Sequence, residues 1–234
     1  MQAACGFPNR RGDQKMDAPV TPQLIWDLPT RIFHWLLVVC VLGSWLTAES
    51  ERSRMQHLAL GYSAGALVAW RVVWGFVGGR YARFTGFVRS PTAAWAYLCA
   101  YLPSVRRSGK TQTHYLGHNP AGGWAVLGLL TAIALAVVTG WVSYQDGSAE
   151  LWCALHELVG KGIILLVGLH VLAVVATGFI HGENLVRAMW TGRKRALPEQ
   201  GVASSHRVIG LVLCLATIWF GWAIYTDRFP FLST

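Results

Sequence analysis

Charged side chains are scarce in this sequence: Asp, Glu, Lys and Arg make up 13% of its 234 residues, against about 25% in an ordinary soluble domain. Together with 53% hydrophobic residues and 12 Trp, that scarcity excludes a typical water-soluble globule. Acids are the rarer sign, 11 against 20 bases, and the segment 79–121 holds none. No Cys-x-x-Cys-His occurs among Cys5, Cys40, Cys99, Cys153 and Cys214, which excludes covalent attachment of a c-type haem. Their spacing suits neither an iron–sulfur cluster nor a zinc site, and Cys40 and Cys214 read as small apolar packing residues. There is no GxGxxG, no Walker loop and no catalytic-triad pattern, so nothing points to nucleotide binding or nucleophilic hydrolysis. No cleavable signal peptide is expected, because the first 20 residues are polar and lead into no short apolar core.

What the chain does have is long apolar runs. Four are strongest, at residues 32–48, 58–77, 124–142 and 151–180, and a fifth covers 208–226. Each reaches the roughly 20 residues that a spanning helix needs. The fourth is long enough to project beyond the lipid or to tilt. The fold class is therefore all-α, an integral membrane helical bundle. Bases cluster between alternate runs: Arg80, Arg83, Arg89, Arg106, Arg107 and Lys110 in one loop, and Arg187, Arg193, Lys194, Arg195 and Arg207 in another. The N-terminal arm adds Arg10, Arg11, Lys15 and Arg31, whereas the opposite connections carry only Arg52, Arg54 and Arg228. The positive-inside rule then places the N-terminus and both basic loops in the cytoplasm, with the C-terminus outside. The net charge of +9 is read as topology, not as a nucleic-acid footprint.

Two histidines, His156 and His170, lie 14 residues apart in the fourth run. On a helix, 14 steps of ~100° fall ~40° short of four turns, so both rings share a face with ~21 Å of rise between them. A bilayer core is ~30 Å thick, so one ring sits near each leaflet. His34 opens the first run on the cytoplasmic side and His57 opens the second on the outer side. Depth pairs His34 with His170 and His57 with His156. Four imidazoles at two depths suit two bis-histidine haems, whose iron takes two strong axial ligands for electron transfer. Gly61, Gly65 and Gly160 follow the histidines at one- or two-turn spacing, serving either a flat macrocycle or close helix packing. Arg71 shares the face of His57 at the inner depth and needs a counter-group, either a haem propionate, a backbone carbonyl or a lipid phosphate. Lys161 points ~140° away from His156; its candidate roles are a propionate contact or a proton pathway.

The run Trp26-Asp27-Leu28-Pro29-Thr30-Arg31-Ile32-Phe33-His34-Trp35 resembles the opening of bacterial cytochrome b561 proteins. These are relatives of the cytochrome b subunit of nickel-iron hydrogenases and of the formate dehydrogenase gamma subunit. Tyr115-Leu116-Gly117-His118-Asn119-Pro120, Leu155-His156-Glu157, Leu169-His170-Val171 and the run from His181 to Met189 carry the same likeness, over about residues 24–195. The resemblance implies a four-helix core holding two haem b, with His57, His156 and His170 matching the family ligands. The expected organisation is an arm at 1–23, the dihaem domain at 24–195, and a linker with an extra transmembrane helix at 196–234. The implied function is electron relay across the inner membrane between the quinone pool and a periplasmic redox protein: a dehydrogenase, a hydrogenase or a c-type cytochrome. Short outer loops at 49–56 and 143–150 leave no room for a domain of the chain's own. The rival function is a standalone superoxide- or ferric-reducing oxidoreductase with the same haems. A transporter is disfavoured, since no internal repeat is visible. In gamma-subunit relatives a quinone headgroup binds near an Asn before the third helix, which makes His118 and Asn119 candidate quinone contacts; a capping role for the Asn-Pro turn is the alternative. His181 reads as a cation at a helix C-terminus, and His114 and His206 as surface residues.

Overall fold

The computed structural model describes residues 19–100, 115–145, 150–226 and 228; His114, Cys5 and most of the N-terminal arm lie outside them. A short strand β1 (Thr21–Leu24) leads into α1 (Leu28–Thr47). After a 3-10 turn at Glu51–Ser53 come α2 (Arg54–Val77), α3 (Phe84–Phe87) and α4 (Pro91–Cys99). The chain continues through α5 (Pro120–Gln145), α6 (Glu150–His181), α7 (Leu185–Thr191), β2 (Arg193–Ala196) and α8 (Arg207–Tyr225). The expected spans correspond to α1, α2, α5, α6 and α8, all long and apolar enough to cross a membrane.

Helix starts follow a repeated chemistry. Asp27, Ser90 and Asn119 each accept a hydrogen bond from a backbone N–H three residues on, at 3.0, 3.2 and 2.6 Å. A proline follows within two residues each time, where its missing N–H is no loss. Asn184 caps α7 in the same way through Arg187 N–H.

Helix α1 packs along α2, α2 along α5, and α5 along α6. Helix α8 lies against both α1 and α2. A side chain at Gly210 would come within 3.0 Å of Leu28, and one at Gly221 within 3.0 Å of the Ser63 hydroxyl, so small residues permit this approach. Helix α6 is the exception. It packs along α5 but makes no comparable approach to α1 or α2. Ile163 is the one buried residue among its 32, and it joins a core of Phe33, Cys40, Leu67, Val68, Leu130, Ile133 and Leu213. At 1.5 Å per residue the helix is ~48 Å long, well beyond a ~30 Å hydrocarbon layer.

The basic segments between spans are more structured than their composition suggested. Strands β1 and β2 pair antiparallel, Thr21 opposite Ala196 and Leu24 opposite Arg193, so the expected boundary at 23/24 falls inside β1. Gly192, at φ +79°, adopts a left-handed conformation that favours glycine. Its carbonyl accepts from both Ile25 and Trp26 N–H. Beneath the ribbon, Lys194 forms a 2.8 Å ion pair with Glu183, their side chains 5% and 21% exposed. The same ammonium donates to the carbonyls of Tyr115 and Leu116. One lysine thus ties the end of α6 to the segment entering α5. Lys194→Met should strand the Glu183 carboxylate and release both carbonyls. The purified protein should lose about 3 kcal/mol of stability, read as a lowered melting temperature, with Arg195→Met on the exposed side of β2 as the silent control.

Candidate functional site: two histidine layers

One layer joins α2 and α6. The His57 and His156 rings stand with centroids 6.0 Å apart and planes at 84°. Each is anchored to a helix other than its own. The Nδ1 of His57 lies 2.9 Å from the Ser44 carbonyl on α1, and the Nδ1 of His156 lies 2.9 Å from the Ala136 carbonyl on α5. A carbonyl can only accept, so both rings carry their proton on Nδ1 and keep the Nε2 lone pair. A metal-bound imidazole is oriented in this manner, by a backbone acceptor on its other nitrogen. Two rings so close and so oriented are a donor set that a metal-bearing cofactor could use.

Gly140 on α5 makes room for this layer: a Cβ there would come within 2.8 Å of His156 Cε1. The histidine spacing gave no pointer to it, because it lies on a different helix. Gly61 and Gly160 have nothing within 4 Å of where a Cβ would stand, so both border open space. Gly65 packs at 3.0 Å against Val137, in the helix-packing role. Lys161 pairs with Glu157 one turn away, with side chains 72% and 67% exposed, on the outward side of α6.

The second layer joins α1, α2, α6 and the segment before α5. His34 and His170 lie within electrostatic reach of each other, and His118 within reach of both and of Arg71. His118 is held between Trp26 and Phe87, ring centroids 4.8 and 4.6 Å away. Burial, reinforced first by the Arg71 charge, pushes its pKa down to about 3, so it is neutral at physiological pH. Arg71 is 2% exposed. It donates one bond to the Ala82 carbonyl and lies 5.1 Å from the Phe84 ring. Its Nη1, and the Nδ1 atoms of His34 and His118, are buried without a partner. Unpartnered buried polar atoms are costly, about 1–3 kcal/mol each. Their convergence suits a group that brings its own carboxylates, as haem does. Nearby Asp27, missed in the sequence, is buried, caps α1 and accepts from Trp74 Nε1 at 3.3 Å.

Sequence neighbours His118 and Asn119 face different spaces. His118 lines a cavity of about 230 Å³ with Arg80, Tyr81, Phe87, Arg89 and Tyr115. Asn119 lines a crevice of about 40 Å³ with Tyr97, His181, Glu183 and Lys194. Its Oδ1 is taken by the helix cap, which leaves the Nδ2 amide to donate. His181 ends α6 beside that crevice. His206, expected at the surface, precedes α8 with its ring 5.3 Å from Trp74.

Residues 25–192 match the family described as prokaryotic cytochrome b561. The chain belongs to that family. It is 26% identical over 160 residues to the probable Ni/Fe-hydrogenase 1 B-type cytochrome subunit of Escherichia coli K12, covering 58% of this chain and 65% of that protein. It is 24% identical over 211 residues to the probable Ni/Fe-hydrogenase B-type cytochrome subunit of Azotobacter vinelandii, covering 74% of this chain and 88% of that one. The similarly named protein of Rhizobium leguminosarum bv. viciae is 21% identical over 212 residues. No solved structure matches. The chain spans just under two thirds of the length of the Escherichia coli relative. This is a multi-pass membrane cytochrome of b type, and such a cytochrome implies haem b.

Gly140 gives a sharp check. Gly140→Ala should push His156 off the Ala136 carbonyl and lower the haem content of purified protein. Gly128→Ala on the same helix meets nothing within 4 Å and should leave it unchanged.

Proposed function

We propose that this cytochrome relays electrons across the bacterial inner membrane between a periplasmic redox protein and the quinone pool, through two b haems. His57 with His156 would hold one and His34 with His170 the other. The observation that carries the reading is the 6.0 Å separation of His57 and His156, with each Nδ1 engaged by the carbonyl of a neighbouring helix. The distribution of Lys and Arg supports a cytoplasmic N-terminus, with the His34 layer on that side. The names of the relatives support a nickel-iron hydrogenase as the periplasmic partner.

Haem b, when bound, supplies a one-electron carrier by cycling its iron between two oxidation states. The protein does the rest. Ser44 and Ala136 fix the outer imidazoles in the ligating tautomer. Gly61 and Gly160 keep the adjoining space clear, and Arg71 offers Nη1 to a carboxylate. The ~21 Å between His156 and His170 along α6 calls for a carrier at each depth. If the assignment holds, wild type binds two haems non-covalently. His57→Ala and His156→Ala should each lose the same one, and His34→Ala and His170→Ala the other, in haem assays and reduced spectra. Loss of the same haem from His34→Ala and His57→Ala would sink the pairing.

A quinone headgroup would exchange electrons at the inner face, with a contact from the Asn119 amide; His118, the other candidate, faces the separate cavity. Asn119→Ser retains a capping oxygen but removes the amide donor. A neutral hydrogen bond contributes about 1 kcal/mol, so quinol-driven haem reduction should slow about five- to tenfold at limiting quinol. Haem content and reduction by dithionite should not change. Wild-type quinol kinetics in this variant would move the quinone away from Asn119.

A further inference from the structure

The cavity beside His118 carries a second site. It is about 230 Å³ in volume, and two arginines, Arg80 and Arg89, line it together with Tyr81, Tyr115 and Gln200. Neither arginine has a carboxylate partner among the described residues: the ion pairs there are Lys161–Glu157 and Lys194–Glu183. Arg80 lies over the Tyr81 ring at 5.5 Å, and Tyr81 in turn donates to the Gln200 carbonyl at 2.8 Å. The tight turn that brings the two arginines to one opening depends on Gly86, where a Cβ would come within 2.7 Å of the Arg80 carbonyl oxygen. No acid occurs anywhere in residues 79–121. Among the described residues, no carboxylate lines the cavity, so its rim is cationic.

A second observation says what reaches it. Helix α4, which follows Arg89 directly, turns Trp95 and Leu98 outward. Trp124, at the start of α5, donates its indole N–H to the Arg89 carbonyl at 3.0 Å. Tryptophans of this kind settle at the headgroup level of a bilayer. The cavity thus opens where lipid phosphates lie. We propose that Arg80 and Arg89 form a binding site for the phosphate group of an anionic phospholipid, with the His118–Phe87 wall as its floor. Guanidinium presents paired N–H donors that match phosphate oxygens. Anionic lipid is favoured over zwitterionic lipid because the rim carries two uncompensated positive charges. The inference requires only that the chain lies in a membrane, and stands or falls apart from the quinone assignment.

The test uses the haem-loaded protein in detergent, stripped of lipid and titrated with phosphatidylglycerol or phosphatidylcholine, with bound lipid counted by native mass spectrometry. Wild type should retain phosphatidylglycerol in preference to phosphatidylcholine. The Arg80→Gln/Arg89→Gln double variant should bind phosphatidylglycerol roughly thirtyfold more weakly, from about 1 kcal/mol per surface cation. Arg193→Gln/Arg195→Gln removes the same charge from the exposed side of β2 and should retain wild-type affinity. Equal retention of the two lipids by wild type, or equal weakening in both double variants, would overturn the site. Displacement of phosphatidylglycerol by millimolar inorganic phosphate would assign the cavity to a soluble anion and overturn the lipid reading. Loss of a haem from Arg80→Gln/Arg89→Gln with lipid binding intact would hand the arginines to the haem carboxylates instead.

Discussion

An imidazole inside a bilayer has two nitrogens and no water for either, and the His57–His156 layer depends on how the first nitrogen is satisfied. A helical carbonyl already bonded within its own helix keeps a spare lone pair. Ser44 and Ala136 offer theirs to rings on neighbouring helices. That single contact sets the tautomer, leaves the Nε2 lone pair free to ligate, and ties α1 to α2 and α5 to α6. It also constrains its surroundings. His156 can reach Ala136 only because residue 140, one turn further along α5, has no side chain.

The same logic accounts for α6. Between lipid-embedded helices there is no hydrophobic driving force, so association rests on van der Waals packing and polar contacts. Helix α6 gains packing from α5 and from Ile163, and leaves the side toward α1 and α2 with few protein contacts. Its ends are held by polar links instead: His156 to Ala136 near one, and Glu183–Lys194 with the Tyr115 and Leu116 carbonyls near the other. A helix fixed at both ends and sparsely packed along one flank leaves space for a flat group, and Gly61 and Gly160 each border open space.

Much of this was legible in the sequence because it depends on period and length. Apolar runs of about 20 residues give spans, and a 14-residue separation puts His156 and His170 on one face whatever surrounds them. The Asn-Pro start announces a helix cap. What escaped are contacts between residues far apart in the chain. Thr21–Leu24 and Arg193–Ala196 show no strand alternation; their pairing is imposed by the Gly192 carbonyl and the Lys194 clamp. Gly140 owes its meaning to a ring on another helix. His118 and Asn119, adjacent in sequence, diverge because the Asn119 oxygen turns back to cap α5 while His118 is wedged between Trp26 and Phe87. Lys161, given a propionate contact or a proton pathway as candidate roles, finds its counter-charge one turn back, at Glu157.

The two layers differ in a way that bears on assembly. In the His57 layer the polypeptide itself satisfies both Nδ1 atoms. In the His34 layer it does not: His34, His118 and Arg71 all keep unpartnered buried atoms. Asp27 lies within electrostatic reach of Arg71, but its oxygens are committed to the α1 cap and to Trp74. Removing water from an uncompensated cation is among the costlier steps in folding. A cofactor bringing carboxylates to Arg71 would relieve that cost only in the folded state, and ligand binding of this kind adds directly to stability. On the proposed assignment, the His34 layer is the part of the bundle whose order depends most on its haem. The ribbon, the Lys194–Glu183 clamp and the Asp27 cap, all gathered at that end, hold the site together.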